Sequence, residues 1–104
     1  MLIAFISGPY RSSTETGRQQ NIENARRIAQ KYANKQYTII CLHTMLDGVD
    51  IPCQKRRQIA FDLLDMSDVL VQMKNWLTSK GSIDEWKRFL ATPYKEVIED
   101  DTTF

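Results

Sequence analysis

Leu2-Ile3-Ala4-Phe5-Ile6-Ser7-Gly8-Pro9 is the stretch whose reading decides the fold. Five apolar residues in a row leave no alternation of polar and apolar positions. Such a run predicts a strand covered on both faces, as in a parallel sheet. Gly8-Pro9 closes it at once, because these residues punctuate regular structure. Two later runs read the same way. Tyr37-Thr-Ile-Ile-Cys-Leu42 is rich in β-branched residues, and Val69-Leu-Val-Gln-Met73 is nearly all apolar.

Between these runs the apolar period changes to that of a helix. From about Gly17 to Lys35, the residues Ile22, Ala25, Ile28, Ala29, Tyr32 and Ala33 share one face. Thr16 and Gln19 stand at capping-box spacing before it. Pro52 suits the first turn of a second helix, whose apolar face is Ile59, Ala60, Leu63 and Leu64. Ser82 and Glu85 open a third, with Trp86, Phe89 and Leu90 as its stripe and Pro93 as its end. His43–Ile51 reads as an irregular loop, Tyr94–Ile98 as a last edge strand, and Glu99–Phe104 as an acidic, frayed tail. Strands alternating with helices predict an α/β domain, a parallel sheet of four to five strands with helices on both faces. Crossovers are expected to be right-handed, and ligands to bind at the carboxyl ends of the strands. Three loops meet that edge: Ser7–Arg11, Leu42–Asp50 and Lys74–Glu85.

The bulk numbers narrow the classes of function. A length of 104 residues suits one domain, here residues 1–98, and leaves no room for a second core. A net charge of +1 gives no global pull toward polymeric nucleic acid or a membrane, but a small anionic ligand needs only local positive potential. Cys41 and Cys53 make neither a disulfide framework nor a zinc site. The apolar start lacks a basic leader, and no run approaches the roughly 20 apolar residues of a membrane span. The cytoplasm is the expected location, and no cofactor or metal is implied.

The candidate chemistry lies in the strand-end loops. In Ser7–Arg11, Gly8 lets a ligand approach the backbone and Arg11 offers a planar fork for phosphate or carboxylate. The plainer reading is a tight strand exit beside a solvated arginine. In Ser79–Glu85, Ser79 and Gly81 precede a helix whose first N–H groups attract anions. Glu85 would project from the first turn, where an ionised carboxylate can attack a sugar's anomeric carbon. Equally, Ser82-x-x-Glu85 is a capping box, which alone would account for Glu85. His43 is a structural or a catalytic histidine at the same edge. Trp76 stacks on a base or covers the core. Asp62, Asp65 and Asp68 read as a solvated helix end rather than a metal site. Lys55-Arg56-Arg57 reads as a solvent-facing cluster, with a subunit contact or a ligand's phosphate as the sharper alternative.

Several segments together resemble the nucleoside 2-deoxyribosyltransferase superfamily, and more narrowly its small, often phage-encoded members of unassigned function. The carrying residues are Phe5-Ile-Ser-Gly-Pro-Tyr10, Asn21-x-x-Asn24-Ala25, Leu64-x-x-Ser67-Asp68 and Asn75-Trp76-Leu-Thr-Ser79-Lys-Gly81-x-x-x-Glu85. The resemblance implies a five-stranded flavodoxin-like three-layer fold and sites near a subunit interface. It implies cleavage of N-glycosidic bonds in nucleosides or nucleoside monophosphates, or deoxyribosyl transfer. Glu85 would then be the nucleophile, Ser79 and Gly81 would hold a 5′-phosphate, and Gly8, Tyr10 and Arg11 would line the phosphate and sugar side. His43 and Trp76 would lie near the substrate. Two positions depart from the pattern of the hydrolases: Phe5 stands where they carry tyrosine, and Ala60 where they carry aspartate. A second acid or base would then come from Asp47, Asp50 or Asp84. The alternative is a non-catalytic nucleotide-binding protein, which sequesters a signal or serves a phage. A third expectation is an interaction domain whose strand-end edge is filled by side chains. A homo-oligomer is expected in each case, because so small a domain gains core area by pairing.

Overall fold

The computed structural model describes residues 1–104. In chain order it contains β1 (Ile3–Ser7), α1 (Glu15–Ala33), β2 (Thr38–Ile40), a single-turn α2 (Leu42–Met45), α3 (Cys53–Asp65) and β3 (Val69–Gln72). A 3₁₀ turn (Trp76–Thr78), α4 (Lys80–Leu90) and β4 (Glu96–Glu99) complete it. The strands form one parallel sheet in the order β2-β1-β3-β4. The chain therefore leaves β1 in one direction, through α1 to β2, and returns on the other side to β3. The order reverses between β1 and β3, the position at which open α/β sheets form a crevice. The register sets Ser7 beside Gln72 at the carboxyl ends of these two strands.

Three layers result, consistent with a flavodoxin-like architecture. On one face α1 covers the sheet, with Ala25, Ile28 and Tyr32 packed on Ala4, Ile6, Val69 and Val71. On the other, α3 and α4 bring Ala60, Leu64 and Phe89 onto Phe5 and Leu70. Ala4 and Ile6 thus face α1, while Phe5 and Ser7 face α3 and α4, following the two-residue period of a strand. Every residue of β3 is buried, which accounts for the continuous apolar runs of the central strands.

Several boundaries differ from the sequence expectation. Thr14, not Thr16, caps α1: its hydroxyl accepts the Gly17 N–H at 3.0 Å, while Gln19 bonds the side chain of Glu15. β2 stops at Ile40, because Cys41 caps α2, which occupies part of the expected loop. Pro52 sits at the cap position just before α3 rather than within its first turn. The three aspartates do not act together. Asp62 accepts from Gln58, Asp65 pairs with Arg88, and Asp68 accepts the Ile3 N–H at 2.8 Å.

The segment after β4, expected to fray, is tied down at its start. Asp100 is buried and accepts hydrogen bonds from the Tyr32 hydroxyl and the Lys31 ammonium, both at 2.7 Å, and from the Thr102 N–H at 2.9 Å. The sheet has four strands, not the five implied by the resemblance, so β4 is an edge. No helix is long and apolar enough to cross a membrane.

Candidate active site

An open cleft of about 640 Å³ lies at the carboxyl end of β1, beside the segment that follows β3. Its walls come from the β1 exit, the start of α2, one face of α3 and the Asn75–Glu85 segment, with Asn21 of α1 at the side. The edge is therefore not filled by side chains, as an interaction-only domain would require. Gly8, Tyr10, Arg11, His43, Ser79, Gly81 and Glu85 all line the cleft. Trp76 does not. It is buried against Trp86, ring centres 5.4 Å apart. Of the two readings of Trp76, the geometry supports core cover.

Glu85 occupies the position that matters most. The helix before it is capped by Ser79, whose hydroxyl accepts the Ser82 N–H at 3.2 Å. Ser82 is consequently a residue of the first turn, and the Ser82-x-x-Glu85 capping box does not form. Glu85 instead accepts a hydrogen bond from the Ser7 hydroxyl, Oγ to Oε1 2.7 Å, across the gap between α4 and β1. It is half-buried and forms no ion pair. Burial pushes its carboxyl up to about 7, while the Ser7 hydrogen bond and the charge of Arg56 work in the opposite direction. The reading of Glu85 as a cap residue is therefore overturned, and its side chain is left facing the cleft.

His43 proves to be a clamp. Its Nε2–H donates to the carbonyl oxygens of Pro9 and Gly8, at 2.9 and 3.1 Å. Two carbonyl acceptors require a protonated Nε2, so Nδ1 carries the lone pair, and it has no partner. Burial pushes the imidazole pKa down, so the ring stays neutral. Asn21 fixes the same loop, its Nδ2 donating to the Tyr10 and Arg11 carbonyls at 3.2 and 3.3 Å. Gly8 has a steric reason to be glycine: a Cβ there would collide with the Met73 side chain. A Cβ on Gly81 would meet nothing closer than the Ser79 hydroxyl at 3.8 Å.

Arg56 is the site residue that the sequence reading set aside. Cys53, Arg56, Arg57, Ala60 and Phe61 all line the cleft, a set at i, i+3, i+4, i+7 and i+8, one face of a helix. That spacing was available in the sequence. The Lys55-Arg56-Arg57 run masks it, because a run of charge reads as solvated surface. The Arg56 guanidinium lies 3.7 Å above the centre of the Tyr10 ring, whose hydroxyl accepts from Arg18 at 3.0 Å. Arg57 instead pairs with Asp84 at 2.8 Å, and Lys80 reaches the same carboxylate at 3.1 Å. Phe5 and Ala60 stand buried at the cleft's base. Glu85 and Asp84 are its only carboxylates; Asp47 and Asp50 lie outside it. No three potential metal-ligating side chains converge anywhere in the chain. Comparison with family models, curated proteins and solved structures finds no match.

Proposed function

We propose that the chain is an N-glycosidase or deoxyribosyltransferase-like enzyme acting on nucleosides or nucleoside monophosphates, with Glu85 as nucleophile. The observation that carries this reading is Glu85 itself. It is a half-buried carboxylate, bonded to Ser7 and paired with no cation, in an open cleft at the reversal of strand order. A carboxylate held this way is costly to the fold and useful to chemistry. Its oxygen attacks the anomeric carbon, the bond to the base breaks with its electron pair leaving on the base, and the base takes up a proton. A glycosyl ester remains on Glu85. Water then attacks the same carbon, gives up to solvent a proton equal to the one the departing base took from it, releases the sugar and restores the carboxylate; a second base in place of water gives transfer.

Ser7 orients the carboxyl. The free N–H groups at the start of α4, with Ser79, Gly81 and Arg11, suit a phosphate. His43 shapes the loop. The reading is tested by incubating purified protein with a panel of nucleosides and deoxynucleoside monophosphates and measuring free base. Release that Glu85→Ala abolishes is the expected result. No release from any member, or release indifferent to Glu85→Ala, overturns it.

A second reading, a non-catalytic nucleotide-binding protein, is favoured by one observation. No second carboxylate stands free in the cleft: Phe5 and Ala60 are apolar, and Asp84 is closed by Arg57 and Lys80. Glycoside cleavage ordinarily uses two such groups. Tight binding by calorimetry without base release would select this reading. We also propose a cytoplasmic homo-oligomer, supported by the open β4 edge and the exposed Leu77, Leu90 and Tyr94. A monomeric mass by light scattering would contradict it.

A further inference from the structure

Four cations line the cleft: Arg11, Arg56, Arg57 and Lys80. Two are already engaged, since Arg57 and Lys80 both close on Asp84. Arg11 is exposed at the rim. Arg56 is unlike the others. It is half-buried, it forms no ion pair, and its guanidinium rests flat enough on Tyr10 to bring the central carbon within 3.7 Å of the ring centre. Burial lowers its pKa, as expected for a cation withdrawn from water without a counter-charge.

Desolvating a charge without a partner is unfavourable, so such a group marks a place where a partner is expected. Contact with the Tyr10 face holds the guanidinium plane and leaves its N–H edges unused, the arrangement that grips an oxyanion through two parallel bonds. The carboxylate within the chain whose charge reaches it is Glu85. Its charge and that of Arg56 sense one another, yet the two groups do not close to an ion pair. They stand as separate walls of one open cleft.

We propose that Arg56 is the specificity-determining residue of the cleft: its guanidinium, held against Tyr10, grips the oxyanion that the start of α4 also faces, while the uncharged remainder extends toward Glu85. This rests on the reading of the cleft as a nucleoside or nucleotide site and adds the residue that tells the two apart. The oxyanion is a phosphate or a carboxylate, and the planar fork accepts either.

The test is calorimetry on the full chain, with no turnover required. Wild type, Arg56→Met, Arg56→Lys and the control Arg27→Met, altered on the exposed outer surface of α1, are titrated with deoxynucleosides, their 5′-monophosphates, their 5′-carboxylates and inorganic phosphate. The expected result is a monophosphate at least tenfold tighter than its nucleoside in wild type and in Arg27→Met. Arg56→Met removes that advantage and leaves nucleoside affinity within twofold, and Arg56→Lys keeps part of it. A carboxylate bound as tightly as a phosphate assigns the site to oxyanions in general; preference for phosphate assigns it to nucleotides. Retention of the advantage in Arg56→Met, or parallel weakening of nucleoside and nucleotide, overturns the proposal. So does a wild type that binds the charged and uncharged ligands alike, or an affinity for monophosphate that does not fall with added salt. Loss of base release alone leaves this result untouched, so failure of the glycosidase reading is distinguishable from failure of the Arg56 assignment.

Discussion

At the scale of single residues, Glu85 carries two opposed consequences of its burial. If it is the nucleophile, it must be ionised, so base release should rise with pH through about 7 and level off above it. Ser7→Ala removes the hydrogen bond that favours the ionised form, and the rise should move to higher pH, which a pH–rate profile reads directly. The same shift is a stability cost. The folded carboxyl binds its proton more tightly than the unfolded one, whose ordinary value is 4.5. Below that value both states are protonated and the group costs nothing; the cost grows as pH rises and is fully present above about 7. Glu85→Gln should therefore stabilise the protein at pH 8, by up to about 3 kcal/mol, and much less at pH 5. Thermal melts at the two pH values check this. The sequence leaves two readings of Glu85 open, a cleft-facing carboxylate and a cap residue. The Ser82-x-x-Glu85 spacing fits a capping box perfectly well, and only the position of Ser79, one turn earlier, shows that the box does not form.

At the scale of elements, α4 begins where the site begins, and two substitutions separate its structural from its ligand-facing demands. Ser79→Ala removes the cap on the Ser82 N–H and should cost about 1 kcal/mol of stability, measured by denaturant unfolding. Gly81→Ala should do the reverse. Nothing crowds a Cβ there, and alanine favours a helix over glycine by about 0.5–1 kcal/mol, so stability should hold or rise. The methyl group would enter the cleft, so ligand affinity should fall in calorimetry. Unchanged affinity would remove Gly81 from the site. α3 teaches a different lesson. Its apolar stripe was readable from Ile59, Ala60, Leu63 and Leu64, but its cleft-facing stripe, from Cys53 to Phe61, mixes thiol, guanidinium, methyl and phenyl groups. A mixed stripe has no hydrophobic period, and so it did not stand out.

At the scale of the whole molecule, the chain end is tied to the opposite face of the sheet. Asp100 accepts from Tyr32 and Lys31 of α1, joining the end of β4 to the helix that follows β1. Burial alone would raise the Asp100 pKa, but the hydrogen bonds from Lys31, Thr102 and Tyr32 outweigh it and hold the carboxyl below its usual range. Stability from this group is present above about pH 4, the unfolded value, and is lost as pH falls through the lower folded one. Tyr32→Phe should cost about 1.5 kcal/mol at pH 7 and less at pH 2, readable in urea titrations at each pH. What the sequence determined by itself was the architecture. Continuous apolar runs alternating with amphipathic segments admit little but a parallel sheet between helices, because burial of apolar surface is short-range in sequence and periodic. The same reasoning found the edge where the loops gather. Only the tertiary structure decided which groups there are free. Ser7 meets Glu85 across 78 positions of chain, Arg56 meets Tyr10 from another helix, and Asp84 is closed by two cations. Pairing between polar groups depends on distances of a few ångströms and on what else competes for each group. Neither is written in the spacing of residues along a single segment.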